Sequence, residues 1–391
     1  MEKYARLLSR NDLTPYLGAE QFEFRDSVNR LLDKHATAAY LRQCDEEKAF
    51  PRELVDLVAG QGWFAITLPE AYGGIGGYMD MIGMLEIIGY HSTSLARFWN
   101  FNVNMVGGAI VRLATDAQKQ RLLPSLAEGK TFFSFALSEN ASGSDAASLK
   151  TSARLEGEQF VVNGTKMWIT GALQADYILT ACRTEKGEGK HEGISLLLIP
   201  RDTPGVTVTP IDLLGGHMIR SCEINLVDAR VSREWMVGDL HKGWSQLLAV
   251  LSKERIALSA ICVGAAQAAL DQALDYAKER RQFGRAIASF QVISHKLVEM
   301  QTMIDASRLL TFRGARLLEE GKPCNLESAQ AKFLASDSYM RVAMEGLQIM
   351  GANGYSMEYS MQRHFREAKA FQIFGGTNEI LRNVVARELL N

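Results

Sequence analysis

Cysteine is scarce and scattered in this sequence. The 391 residues hold five, Cys44, Cys182, Cys222, Cys262 and Cys324, an odd number with no CxxC pair. That argues against a disulfide framework and a thiolate metal site, and it suits a reducing, cytoplasmic setting. The seven histidines show no HExxH-like spacing, so no metal is expected. An excess of one charge is missing too: the net value is −2, which argues against a nucleic-acid or membrane footprint. No apolar run reaches the roughly 18 residues of a membrane span. MEKYARLLSRNDLTPY, at the N-terminus, lacks the apolar core of a signal peptide. No strand leads into GxGxxG and no GxxxxGK[ST] occurs, so the Rossmann and P-loop routes to a nucleotide are absent.

What remains is an ordinary globular composition, 47% apolar and 23% charged, long enough for two or three domains. Three zones follow one another without an internal repeat. From about residue 20 to 130 the spacing is helical, as in FEFRDSVNRLLDKHA, PRELVDLVAGQGW and MDMIGMLEIIGYHS, with Pro51 placed for a first helical turn. Residues 131–240 read as strands: TFFSFALSE, FVVNGTKMWIT, DYILTACRT, GISLLLIPRD, GVTVTPI and SCEINLVDARV. Long helices return over 241–391. This order predicts a mostly α chain with an inserted β domain.

In FVVNGTKMWIT, Asn163-Gly164 has the chemistry of a two-residue hairpin turn. Period two then sets Lys166, Trp168 and Thr170 on one face. A tryptophan on a polar face either covers a neighbouring helix at a sheet edge or offers a planar heterocycle a stacking surface. Upstream, SENASGSD places Ser138, Ser142, Gly143, Ser144 and Asp145 after an apolar strand. Such a small-residue stretch is a plain loop, or one through which backbone N–H groups approach a phosphate or thioester.

GWSQLLAVLSKERIALSAICVGAAQAALDQALDYAKERRQFG reads as one long helix, apolar nearly all round in its first half. Set into it is Glu254, with Val250 and Leu251 a turn before and Ala257 and Leu258 a turn after. A carboxylate on such a stripe is a structural ion pair or a general base kept dry. The helix is expected to end in ERRQFG, with basic residues in its last turn and Gly284 as C-cap. Near the chain's end, FQIFGGTNEILRNV sets two glycines between a strand-like FQIF and an amphipathic helix. They make a turn, or a loop where backbone meets a large flat ligand.

With LPEAYGG, SENASGSD, NGTKMWITGA, ERRQFGRAIASFQ, QIMGANGY and FGGTNEILR in this order, the chain resembles the acyl-CoA dehydrogenases over almost its whole length. The resemblance implies a helical N-terminal domain (1–130), a middle β-barrel or sandwich domain (131–240) and a C-terminal four-helix bundle (241–391), with FAD between them. It implies a homotetramer, a dimer of dimers, in which FAD reaches a neighbouring subunit. The implied reaction is α,β-dehydrogenation of an acyl-CoA thioester. A base takes the α-proton, the β-hydride goes to flavin N5, and electrons leave to an electron-transfer flavoprotein. Relatives of the same fold act on carrier-protein-bound acyl groups or run as enoyl-CoA reductases. A non-catalytic flavoprotein or assembly factor also stays open.

Carried over residue by residue, the resemblance places Phe135, Leu137 and Ser138 along the flavin edge, with Trp168 packed on it and Thr170 bonding near N5. Arg280, Gln282, Phe283, Gln291 and Gln348 fall to its adenosine diphosphate, with Thr377 and Glu379 as further contacts at the start of the last helix. Ser144, Ser252, Arg255, Phe374 and Gly375 fall to the substrate. Many members carry the catalytic glutamate in this last loop, where this chain has Gly375. Long-chain and isovaleryl members instead carry it on the apolar helix, at the position of Glu254. The resemblance therefore favours Glu254 as the base and leaves the Gly375 N–H to donate to the thioester oxygen. ENASGSD departs from the usual EPGAGSD, and Phe374 stands where tyrosine is frequent. In LARFWNFNVNM, Phe98, Trp99 and Phe101 point to a short, branched or polar acyl group, or are core aromatics beside solvent-facing asparagines.

Overall fold

The structure, a computed structural model, describes residues 16–390; the expectation made for the N-terminal stretch lies outside the described residues. The chain is mostly helical with a central sheet, as the zone order predicts. It divides into two compact units, one built from 48–76 and 98–254, the other from the segment ending at Glu47, from 77–97 and from Arg255 on.

The first unit holds strands β1 (Phe133–Ala136), β2 (Ser152–Glu156), β3 (Gln159–Thr170), β4 (Tyr177–Arg183), β5 (Ile194–Pro200), β6 (Val206–Pro210), β7 (Ser221–Ser232) and β8 (Met236–Val237). They form one sheet in the order β6-β7-β3-β2-β4-β5-β8, with β1 parallel to β4. β4 and β5 are buried along nearly their whole length, which suits their mainly apolar runs.

Two details of β3 correct the sequence reading. The strand runs straight through Asn163-Gly164, and the hairpin turn falls at Gly157-Glu158, between β2 and β3. With β2 on one side and β7 on the other, β3 absorbs the Asn-Gly pair as a shift of register. Asn163 spends its amide on Asp228 instead, donating from Nδ2 to Oδ1 at 3.0 Å and accepting from the Asp228 N–H at 2.9 Å. A second shift lies between Lys166 and Ile169, where Trp168 takes φ 60°. Period two fails there: Lys166 is buried, while Trp168 is 45% exposed.

In the second unit, helix Asn325–Met350 packs against Gln291–Glu319, Met361–Phe371 and Asn378–Leu390. The long helix Gly243–Glu279 starts in the first unit and belongs to the second from Arg255 on. It stops earlier than expected. Arg281–Gln282 and Arg285–Ala286 form a two-stranded ribbon, so Arg280 and Arg281 lie beyond the helix and Gly284 is no C-cap. Phe283 and Gly284, at φ 50° and 79°, make the two-residue turn whose twist suits a hairpin. FQIF is not a strand either. Phe371 closes helix Met361–Phe371, where its burial completes the amphipathic face, and Ile373 and Phe374 lie in the following loop.

Helix Tyr78–His91 meets Gly243–Glu279 backbone to backbone. A Cβ on Gly264 would overlap the Glu86 carbonyl oxygen, and one on Gly89 would stand 2.6 Å from that of Ile261. Gly264→Ala is therefore expected to lower stability by roughly 2–3 kcal/mol, the range of an overpacked core, read as an earlier midpoint in denaturant.

Candidate active site

The sheet unit gathers several of the expected site residues. Beyond β1 the chain runs through Leu137 and Ser138 beside β3, where the Met167 N–H donates to the Ser138 carbonyl at 2.9 Å. Lys166, fully buried, donates from Nζ to the Leu137 carbonyl at 3.0 Å and to Glu139 Oε1 at 2.8 Å. Glu139 also accepts the N–H groups of Lys150 and Thr151 at 2.7 and 2.9 Å. Burial pushes the Glu139 carboxyl up, but Lys166 and these donors outweigh it and hold the group below the usual carboxylate range. Burial likewise pulls the Lys166 ammonium below its ordinary value. The pair clamps Leu137, Ser138 and the Trp168 bulge to one another. Thr170, at the end of β3, shares a hydrogen bond with Ser221 at 3.0 Å. Ser144 is exposed, and its neighbour Asp145 is paired with Lys190 at 2.6 Å.

Glu254 is 4% exposed. Leu247 and Val250, seven and four residues before it, line a small apolar cavity with Met105, Ala109, Phe135 and Leu196. The spacing places all three on one helical face, so the carboxylate continues a dry stripe. Ser252 is half-buried.

Residues 98–105 correct one alternative raised from the sequence. Phe98 and Trp99 are buried, Phe98 edge-on to Phe50 and Phe132 at 4.9 and 5.0 Å, but Asn100, Asn102 and Asn104 are buried as well rather than facing solvent. Asn100–Gly107 is a π-helical segment, whose wider winding redirects these amides. Asn102 donates to the Phe98 carbonyl at 2.8 Å and accepts the Phe133 N–H at 2.5 Å; Asn104 donates to Asn100 at 2.9 Å.

In the helical unit the Phe374–Thr377 loop is closely held. Gly375 and Gly376 both take positive φ, and a Cβ on Gly375 would stand 2.5 Å from Leu258 Cδ1. The Arg97 guanidinium lies 5.1 Å from the Phe374 ring centre and pairs with Glu367 at 3.2 Å. Thr377 caps the last helix, its hydroxyl accepting the Ile380 N–H at 3.3 Å, and Glu379 is exposed one turn from Arg382. Arg255 is buried and donates to Asn325 at 3.2 Å. Arg280 lines an open cleft with Tyr276, Glu279 and Asn353. Gln282 and Phe283 sit on the ribbon, with Phe283 94% exposed at its tip, and Gln291 opens the next helix. Gln348 is exposed on its own helix.

Comparison with known proteins adds the decisive observation. The N-terminal, middle and C-terminal domain models of acyl-CoA dehydrogenase match residues 18–130, 134–229 and 241–390. The chain belongs to the acyl-CoA dehydrogenase family. The probable acyl-CoA dehydrogenase YngJ of Bacillus subtilis (strain 168) is 38% identical, over 96% of this chain and 99% of its own. The 3-(aryl)acrylate reductase of Clostridium sporogenes is 33% identical, over 95% and 99%. The structure of butyryl-CoA dehydrogenase from Megasphaera elsdenii superposes with a TM-score of 0.92 at 33% identity, over 96% of this chain and 99% of that one. As a member of the acyl-CoA dehydrogenase family, the protein is a flavin-dependent oxidoreductase.

Three buried charges that hold expected site segments escaped the sequence reading: Glu139 and its partner Lys166 beside Leu137, and, in the helical unit, Lys332 at the Gly376 carbonyl. The signal that singled out Glu254, a charge inside an apolar run, is present at Lys332 in AQAKFLAS too. No helix among the described residues is long and apolar enough to cross a membrane.

Proposed function

We propose that the protein, with FAD bound, dehydrogenates an acyl-CoA thioester between its α- and β-carbons, with Glu254 taking the α-proton. The observation that carries this reading is the burial of Glu254 on the face that Leu247 and Val250 share with an apolar cavity. The Phe374–Thr377 loop holds no carboxylate to compete for the role. Set away from bulk water, the carboxylate is held ready for a proton of the bound substrate, which suits a general base. The Gly375 N–H donates to the thioester oxygen and stabilises the charge that grows there as the proton leaves. Ser144, Ser252, Arg255 and Phe374 seat the thioester and its CoA arm.

The residues present fit a flavin. Trp168 turns a half-exposed ring outward at a bulge, the Thr170 hydroxyl lies two residues on, and Leu137 and Ser138 are clamped alongside, with Phe135 at the cavity. FAD held by these residues supplies the hydride acceptor. Arg280, Gln282, Phe283, Gln291, Gln348, Thr377 and Glu379 hold its adenosine diphosphate. The exposure of Phe283 supports a neighbouring subunit, in a homotetramer, as the source of this half of the site. An electron-transfer flavoprotein takes the electrons, in the cytoplasm.

Anaerobic titration of the flavin-loaded protein with acyl-CoAs of differing length and branching tests the proposal. Loss of flavin absorbance with at least one thioester is the expected result; no bleaching with any of them overturns it. The reductase name of one relative supports a second reading, the reverse direction on an enoyl thioester. Reoxidation of the reduced protein by enoyl-CoAs, with no bleaching by acyl-CoAs, would select it.

A further inference from the structure

We propose that Lys332 is a positioning residue that aims the Gly375 N–H at the thioester oxygen; this rests on the role given to Gly375 above. Gly375 and Gly376 stand at φ 67° and 85°, and a glycine pair has more backbone freedom than any other. Local sequence therefore leaves the direction of that N–H undetermined, and a tether from outside the loop has to set it.

Lys332, in the middle of helix Asn325–Met350, is fully buried. Its Nζ donates to the Gly376 carbonyl at 2.8 Å and to Asn378 Oδ1 at 3.1 Å. Its Cε lies 3.9 Å from where a Cβ on Gly375 would stand, so the stem packs along the first glycine while the head holds the second. Asn378 passes the connection on. Its Nδ2 donates to Asp337 Oδ1 at 2.7 Å and to Ser336 Oγ at 2.9 Å, and its backbone N–H donates to the Gln372 carbonyl at 3.1 Å. Gln372 Nε2 donates to the same Asp337 oxygen at 2.7 Å. Both ends of the loop are thus tied to one helix through Lys332 and Asp337, five residues apart in the chain.

Burying an ammonium is unfavourable unless its donors are well used, and an apolar residue would fill the same volume without desolvation. What the charge adds is a strong, directional bond to a carbonyl oxygen. Here that carbonyl belongs to the residue next to the proposed oxyanion donor.

The test uses flavin-loaded protein and a thioester with sulfur in place of the β-carbon, which has no hydride to lose, labelled with ¹³C at the carbonyl. In the parent enzyme the infrared carbonyl band is expected to move to lower frequency on binding. Lys332→Met should lose most of that shift, with kcat for an acyl-CoA falling about 10²- to 10³-fold, as when an oxyanion donor is removed, and KM changing little. Lys332→Gln, which still carries a donor for the Gly376 carbonyl, should recover part of both. Lys332→Met with a full flavin complement, an unshifted melt and the parent's carbonyl band and kcat overturns the proposal. If Lys332→Met does not fold, Asn378→Ala and Lys332→Gln carry the test. Each should lose part of the shift, and an unchanged band in both overturns the proposal. No band shift in the parent enzyme would instead overturn the role of Gly375 itself.

Discussion

Glu254→Gln is expected to bind FAD as the parent does and to lose reduction by substrate, with kcat lower by on the order of 10⁴-fold, the upper end of what a general base contributes. That corresponds to about 5.4 kcal/mol of barrier. Glutamine matches the glutamate in size, so Leu247, Val250 and the cavity they line keep their packing. The amide lacks only a site of useful basicity for the α-proton. Substrate binding, which does not need that basicity, should persist. The expected pattern is a thioester complex that forms with nearly unchanged affinity and then fails to bleach the flavin. Stopped-flow mixing of the oxidised variant with a substrate chosen by the titration reads both steps. Reduction at the parental rate would mean that the base lies elsewhere, whatever the burial of Glu254.

The zones of this fold were legible because helical and strand periodicities are local. The failures have two sources: strands from elsewhere in the chain, and local turns and windings that residue type and period do not encode. Asn163-Gly164 has real turn chemistry, but the short, charged β2 takes the place beside β3, and flanking strands then dictate that β3 stays extended. ERRQFG looked like a helix end because its two arginines suit a C-terminus, whereas Phe283-Gly284 folds back as a hairpin turn. Solvent-facing asparagines in the 98–105 segment were one of two alternatives, and a π-helical winding turns them inward. Glu254 was legible as a charge in an apolar run. Lys332 and Glu86 give the same signal, but their meaning comes from partners 44 and 222 residues away, at Gly376 and Arg308. A sequence can announce that a buried charge exists well before it says what the charge holds.

Glu86→Gln should lower stability by about 3–5 kcal/mol near neutral pH, the scale of breaking a buried ion pair from one side. Glu86 is fully buried in helix Tyr78–His91, with Arg25 at 2.9 Å on one carboxylate oxygen and Arg308 at 2.8 Å on the other. Arg308 has further acceptors in Asp305 at 2.8 Å and Gln267 at 3.1 Å. Arg25 depends more on Glu86: its other bond is to the Gly83 carbonyl at 3.1 Å, and its Nε and Nη2 have no partner among the described residues. An amide in place of the carboxylate leaves that guanidinium buried beside a neutral group. The pH dependence separates this account from simple loss of packing. Burial pushes the Glu86 carboxyl up, but the two guanidinium groups more than reverse it and leave the group below its ordinary value. A depressed carboxyl stabilises the fold above its unfolded pKa, about 4.3, and loses that contribution as pH falls through the lower, folded value. Glutamine does not titrate there. The stability gap between parent and variant, from denaturant midpoints, should therefore be full at pH 7 and close progressively on acidification below the ordinary carboxylate range. A gap that stays constant as acid is added would mean that shape, and not charge, is what Glu86 contributes.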